Sequence, residues 1–228
     1  NECWLSDRDR YSHQGLYSED RAKQPMLKDN DIWRDASWDE ALDAAADALK
    51  TAAPAQLGFL AHPASSNEEG FILARLAQAL GTGNIDHRIK QLDFADNAVA
   101  EAFDIPVSEI ANAGDIVLVG CNIRHEMPLL HQRIHQAVKR GARVHVINPV
   151  DFDFSFSTAT KAIVPPSQLA SRLKAFGDAL TADTGSVVVL GEIAENHGNA
   201  SHIRAVATAL RQAGKIKLCR LPQGANAI

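Results

Sequence analysis

The sequence predicts a doubly wound α/β fold with a mostly parallel sheet, preceded by an extended N-terminal arm. Two observations carry this. Short apolar runs rich in β-branched residues recur at 116–119 (IVLV), 144–147 (VHVI), 187–190 (VVVL) and 216–221 (IKLCRL). They are too brief for helices and read as strands buried on both faces. Segments with helical spacing separate consecutive runs through short joints, which makes neighbouring strands parallel with right-handed crossovers.

Taken in order, residues 1–35 are polar, aromatic and irregular. Trp4, Tyr11, Tyr17 and Trp33 are spaced too unevenly for a strand or a helix face, so this stretch reads as an extended arm. Ser37 is an N-cap with Glu40 three residues on, a reciprocal capping pair, and Trp38, Ala41, Leu42, Ala45 and Leu49 trace one helical face. Pro54 marks the exit. LGFLA at 57–61 is a short strand. Asn67 caps a second helix whose first turn carries Glu68 and Glu69, and Phe71, Ile72, Ala74, Leu76, Ala79 and Leu80 supply its buried side. Residues 83–96 form a polar loop, and 94–103 is expected to be a third helix stopped near Pro106. Together these elements make an α/β lobe over 36–110, expected to be incomplete within this chain.

The main domain spans 111–228. Gly120 stops its first strand, Pro128 sits where a first helical turn tolerates a missing N–H, and Leu130, Ile134, Ala137 and Val138 follow at helical spacing up to Gly141. After the second strand, 152–160 is a loop with three phenylalanines. Pro165 and Pro166 open a helix through Leu169, Leu173, Phe176 and Leu180. The third strand ends at Gly191, a polar turn covers 192–199, and a helix through Ile203, Val206, Ala207 and Leu210 is capped by Gly214. The last strand stops before Pro222.

Composition excludes several classes of function. The 228 residues are 46% hydrophobic and 22% charged, ordinary for a globular protein. A net charge of -5 with scattered basic residues gives no attraction for nucleic acid. No apolar run approaches the roughly 18–20 residues that span a bilayer, so no direct membrane insertion is expected. The three cysteines, Cys3, Cys121 and Cys219, lie far apart without a C-x-x-C pair and read as small buried hydrophobes of a reducing cytoplasm. The chain starts with Asn, lacks a signal-peptide pattern, and ends in QGANAI without a terminal element. It is expected to be an internal piece of something longer.

In doubly wound sheets, ligands sit beyond the carboxyl ends of the strands. Here those turns are Gly120-Cys121-Asn122, Asn148-Pro149 and Gly191-Glu192. At Gly120 the backbone can approach a phosphate, and Asn122 and Asn148 can hydrogen-bond a nucleotide or pterin. The G-x-G-x-x-G and G-x-x-x-x-G-K patterns are both absent, so neither NAD nor ATP is indicated. His131 and His135 share one helix face with His125 just before it, but HQRIH lacks the Glu of H-E-x-x-H, and the three read as partly exposed structural histidines. Cys121 follows a strand directly, yet the surround of a nucleophile elbow is missing, and a buried thiol is the expectation.

The stretches NECWLSDRDRYSHQGL, QPMLKDNDIWRDASWDEAL, GFLAHPASSNEEGFILARLAQALGTGNIDHRIKQLDF and LVGCNIRHEMPLLHQRIHQAVKRGARVHVINP resemble molybdopterin-type oxidoreductases. Within that family they look most like the large G subunit of bacterial NADH:quinone oxidoreductase, respiratory complex I. The resemblance implies the fold of domains 1–3 of formate dehydrogenase and its relatives. It also implies [2Fe–2S] and [4Fe–4S] clusters in the parent subunit but no cofactor and no metal in this piece. The implied partners are the subunit's own N-terminal iron–sulfur region and other subunits of the peripheral arm. The implied location is the cytoplasmic, inner face of the plasma membrane.

Departures from the enzyme pattern support a lost cofactor. Ser6 stands where relatives with an extra cluster place a cysteine before Asp-Arg, and Cys3 is three residues out of step. No Cys or Ser occurs between Asn67 and Val107 to ligate molybdenum or tungsten, which leaves Asp93 as the formal candidate. Gly120, Asn122 and Asn148 then read as vestiges of a cofactor loop in a non-catalytic scaffold. The alternative is a molybdopterin-dependent oxidoreductase domain that still binds a pterin or nucleotide there.

Overall fold

The computed structural model describes residues 4–62, 64–87, 92–180 and 185–222. Contacts divide the chain into two units, Asn1–Arg88 and Ile89–Ile228. The sequence suggests boundaries after 35 and 110 instead. The division falls earlier than 110 because residues 93–112 bond to the sheet and helices of the second unit.

In the first unit, Ser6 caps helix α1 (Asp7–Ser12) by accepting from the Asp9 N–H at 3.2 Å, and a 3-10 turn follows over His13–Tyr17. Strands β1 (Met26–Asp29) and β2 (Ile32–Asp35) form an antiparallel hairpin. Its turn residues, Asn30 and Asp31, both have positive φ, the backbone that matches the twist of a two-residue hairpin loop. The stretch expected to be an extended arm thus holds a helix, a turn and a hairpin. Most residues of the hairpin are exposed, so no alternation of apolar and polar residues marks it in the sequence.

Ser37 caps α2 (Trp38–Thr51) as expected, but the Glu40 carboxylate turns to Arg34 at 2.5 Å instead of reciprocating. The reciprocal box occurs one helix later. Ser66, not Asn67, caps α3 (Asn67–Ala79), accepting from Glu69 N–H while Glu69 accepts from Ser66 N–H at 2.7 Å. α3 connects β3 (Phe59–Leu60) to β4 (Ile85–Asp86), which pair in parallel. β4 lies in what the sequence suggests is loop. Strands of two residues present almost no sheet face to pack against. Phe71 and Ile72, expected on the buried side of α3, accordingly stay exposed and line an open groove with Asn67 and Glu68.

The second unit is a five-stranded parallel sheet in the order β7-β6-β5-β8-β9. Its elements run β5 (Asp115–Val119), α4 (Ile123–Glu126), α5 (Pro128–Lys139), β6 (Arg143–Asn148), β7 (Thr160–Ile163), α6 (Leu169–Ala179), β8 (Ser186–Leu190), α7 (Glu192–Glu195), α8 (Ala200–Gln212) and β9 (Ile216–Arg220). Every residue of β5 and β8 is buried. Alternate residues of β5 face opposite layers. Ile116 and Leu118 join Leu130, Ile134 and Ala137 of α5 in one cluster, and Val117 and Val119 join Leu169, Leu173, Ile203 and Ala207 of α6 and α8 in the other. Helices cover both faces, so the doubly wound arrangement is present, and each fully buried aliphatic side chain contributes about 1.5–3 kcal/mol.

Two departures from expectation occur here. β7 carries no strand signal in the sequence because it is an edge strand in which only Ala162 is partly buried. Residues 94–103, expected to be helical, are not. The acidic side chains in and just after this stretch bond separately to distant partners instead, Asp96 to Arg204, Glu101 to Arg211 and Asp104 to the Leu218 N–H.

Candidate functional site

Leaving β5, the chain goes to β6 and β7 on one side, and on leaving β8 it goes to β9 on the other. The crevice between the carboxyl ends of β5 and β8 is therefore the topological switch point, where open α/β sheets bind ligands. The sequence-predicted residues Gly120, Asn122 and Asn148 do converge here.

Gly120 has φ +54°, and a Cβ there would lie 2.5 Å from the Ala194 backbone nitrogen. A Cβ on Gly191 would lie 2.5 Å from Cys121 Cα. The Ile193 N–H donates to the Gly120 carbonyl at 2.9 Å, so the loop after β8 is laid directly on the loop after β5. Asn148 is fully buried, accepting from the Cys121 N–H at 2.8 Å and donating to the Cys121 carbonyl at 3.0 Å. Its amide thus mimics a backbone pair and holds the β5 loop to the end of β6.

The half-buried Asn122 donates its backbone N–H to Glu126 Oε1 at 2.5 Å. The Glu192 N–H donates to Glu126 Oε2 at 2.7 Å. Burial raises the Glu126 carboxyl, and the two N–H donors pull it back. Sequence reasoning missed Glu126. The available signal was an acidic residue four positions after Asn122, in the short turn before Pro128.

Cys121 is no nucleophile. It is fully buried, and desolvation first, then the Glu126 charge, pushes its thiol well up. Burial likewise raises Cys219 to about 12. With Cys3, which lies outside the described residues, replaced by Ser, the folded chain is expected to react with a thiol reagent at least about a hundredfold more slowly than the denatured chain. Labelling rates with and without denaturant check this, and rapid labelling of the folded protein would contradict it.

The metal candidates also have structural partners. Asp93 accepts from the Ser201 hydroxyl at 2.5 Å and the Ser201 N–H at 2.8 Å, which binds it to the first turn of α8 and lowers its carboxyl to about 2. Ser6 is spent on the α1 cap. Of the histidines, His125 is exposed and His135 half-buried, but His131 is buried, contrary to expectation, with its ring 5.0 Å from Phe156. Burial lowers its basicity, and the charges of Arg124 and His135 add to that. Among the described residues, no three His, Cys, Asp or Glu side chains are grouped to hold a metal ion.

These features define a doubly wound α/β domain with a parallel sheet, glycine turns and a buried asparagine at its switch point. Residues 21–226 match the model of the molybdopterin oxidoreductase family. The chain belongs to that family. It is 33% identical over 145 residues to the G subunit of the NADH-quinone oxidoreductase of Rickettsia felis, covering 62% of this chain and 21% of that protein. It is 29% identical over 146 residues to the alpha subunit of the F420-dependent formate dehydrogenase 1 of Methanococcus maripaludis, covering 61% and 22%. The aligned part therefore spans about a fifth of these relatives. Among solved structures, a chain of the formyltransferase/hydrolase complex FhcABCD from Methylorubrum extorquens, in complex with methylofuran, matches with a TM-score of 0.56 over 86% of this chain and 60% of that one. At 14% identity that likeness concerns the fold alone.

Proposed function

We propose that this chain is a non-catalytic scaffold domain of the large G subunit of a bacterial NADH:quinone oxidoreductase, descended from a molybdopterin enzyme. The observation that carries the reading is Asn148. Both polar atoms of its amide are committed to the Cys121 backbone, so the side chain best placed to recognise a pterin or nucleotide is already spent. Asp93 and Ser6, the positions nearest to the family's metal and cluster ligands, are likewise committed to helix starts.

In this reading the electrons pass through clusters elsewhere in the subunit, and this domain packs against that region and against neighbouring subunits on the cytoplasmic face of the membrane. The exposed apolar residues of the first unit, Trp38 and Leu42 on α2 and Phe71 and Ile72 on α3, suit such packing. No helix among the described residues is long and apolar enough to cross a membrane. The kinship to a formate dehydrogenase favours the other reading, a domain that still holds its pterin. Anaerobic purification followed by elemental analysis for Mo, W and Fe and by pterin fluorescence separates the two. The scaffold reading expects less than about a tenth of an equivalent of each, against the near-stoichiometric loading of a dedicated metal site. Stoichiometric metal with pterin would overturn it.

A further inference from the structure

We infer that Glu126 is the internal occupant of the switch-point crevice, its carboxylate taking the backbone N–H groups that an anionic cofactor group would need there. The two donors belong to different loops, Asn122 after β5 and Glu192 after β8, and they converge on the two oxygens of one side chain at 2.5 and 2.7 Å. A carboxylate with both oxygens facing N–H donors is in the geometry of its ionised form, and charge-assisted bonds of this kind are among the strong ones. Phosphate would present the same two-oxygen face to the same donors.

The two loops that supply these donors are pressed against each other. Ala194 closes over Gly120, Cys121 closes over Gly191, and at either point even a methyl group would fall within 2.5 Å of its neighbour. The chain has thus moved a negative charge of its own into the crevice and drawn the two loops together over it. This goes beyond the scaffold reading and does not depend on it, since a chain without metal can have an open crevice, and one closed by Glu126 can carry a cofactor elsewhere.

The test is rescue by small anions. Glu126→Ala, Glu126→Gln and the parent chain are melted in rising formate, acetate or inorganic phosphate, each against chloride at equal ionic strength. Glu126→Ala is expected to melt below the parent, and to regain stability in proportion to the logarithm of anion concentration. The parent and Glu126→Gln, in which the crevice stays filled, are expected to show only the chloride response. An alanine variant as stable as the parent, or one that gains no more from these anions than the parent does, overturns the inference. Should the alanine variant not fold, hydrogen exchange in Glu126→Gln decides. Amide protection at Asn122 or at Glu192 is expected to fall by at least about tenfold while β6 is unchanged, because the glutamine amide has one acceptor oxygen and can serve only one of the two N–H groups. Unchanged protection at both positions overturns it equally.

Discussion

Replacing Glu195 by alanine is expected to destabilise the 89–228 unit by about 3–5 kcal/mol, because it removes the shared partner of the buried Arg204 and the partly buried Arg220 guanidinium groups. The Glu195 side chain is 4% exposed and Arg204 is 7% exposed. Arg204 Nη1 donates to Glu195 Oε2 at 3.1 Å, and Arg220 Nε donates to Oε1 at 2.8 Å. Arg204 would keep Asp96, at 2.7 Å, but would lose the carboxylate on its buried side. At about 2–4 °C per kcal/mol for a unit of this size, the melting temperature should fall by about 6–20 °C. Lys174→Ala is the control, since it breaks an exposed pair with Asp178 and should cost no more than about 0.5 kcal/mol. In the double variant Glu195→Ala/Arg204→Met, the loss should be smaller than the sum of the single losses, because the second change removes a charge stranded by the first. Equal costs for Glu195→Ala and Lys174→Ala would show that the network does not hold the unit together.

That network also explains where the sequence is hard to read. β5, β6, β8 and β9 and the helices α5, α6 and α8 are legible because each buries a continuous apolar run or one apolar face, which is a local property. Residues 94–103 carry enough apolar residues to suggest a helix, yet their conformation is decided by Ser201, Arg204 and Arg211, on the order of a hundred residues on, and no window contains both ends. β7 and the hairpin β1–β2 are hidden for the opposite reason. Most of their residues face solvent, so periodicity has little to register. The Asn30-Asp31 turn is the usable cue, and it requires attention to positive φ rather than to hydrophobicity.

At the crevice, the location is legible and the roles are not. Gly120, Asn122 and Asn148 can be placed at strand ends from the sequence, because a strand followed by a glycine or asparagine turn is a local pattern. That Asn148 turns inward to Cys121 and Glu126 reaches the Glu192 N–H, 66 residues on, depends on how β5, β6 and β8 are ordered in the sheet. Polar residues at a switch point thus read identically from sequence whether they face a ligand or one another.

The closeness of the two loops makes a second large effect available at Gly191. Gly191→Ala is expected to destabilise the unit by about 3 kcal/mol, at the upper end of the usual cost of overpacking. Its φ of -98° suits alanine, so the penalty is steric rather than conformational. The new Cβ would meet Cys121 Cα and Cβ at 2.5 Å and the Gly120 carbonyl oxygen at 2.7 Å, mostly backbone that cannot swing aside. Gly120→Ala should be worse. It meets the Ala194 backbone nitrogen at 2.5 Å and also carries a positive φ, which adds about 1 kcal/mol for an L-residue. Gly198→Ala, with nothing within 4 Å of the added methyl, should lie within about 0.5 kcal/mol of the parent. Denaturant titration of the three variants checks the order. If Gly191→Ala proved as mild as Gly198→Ala, the loops would have room between them, and the crevice would be open enough to admit a ligand.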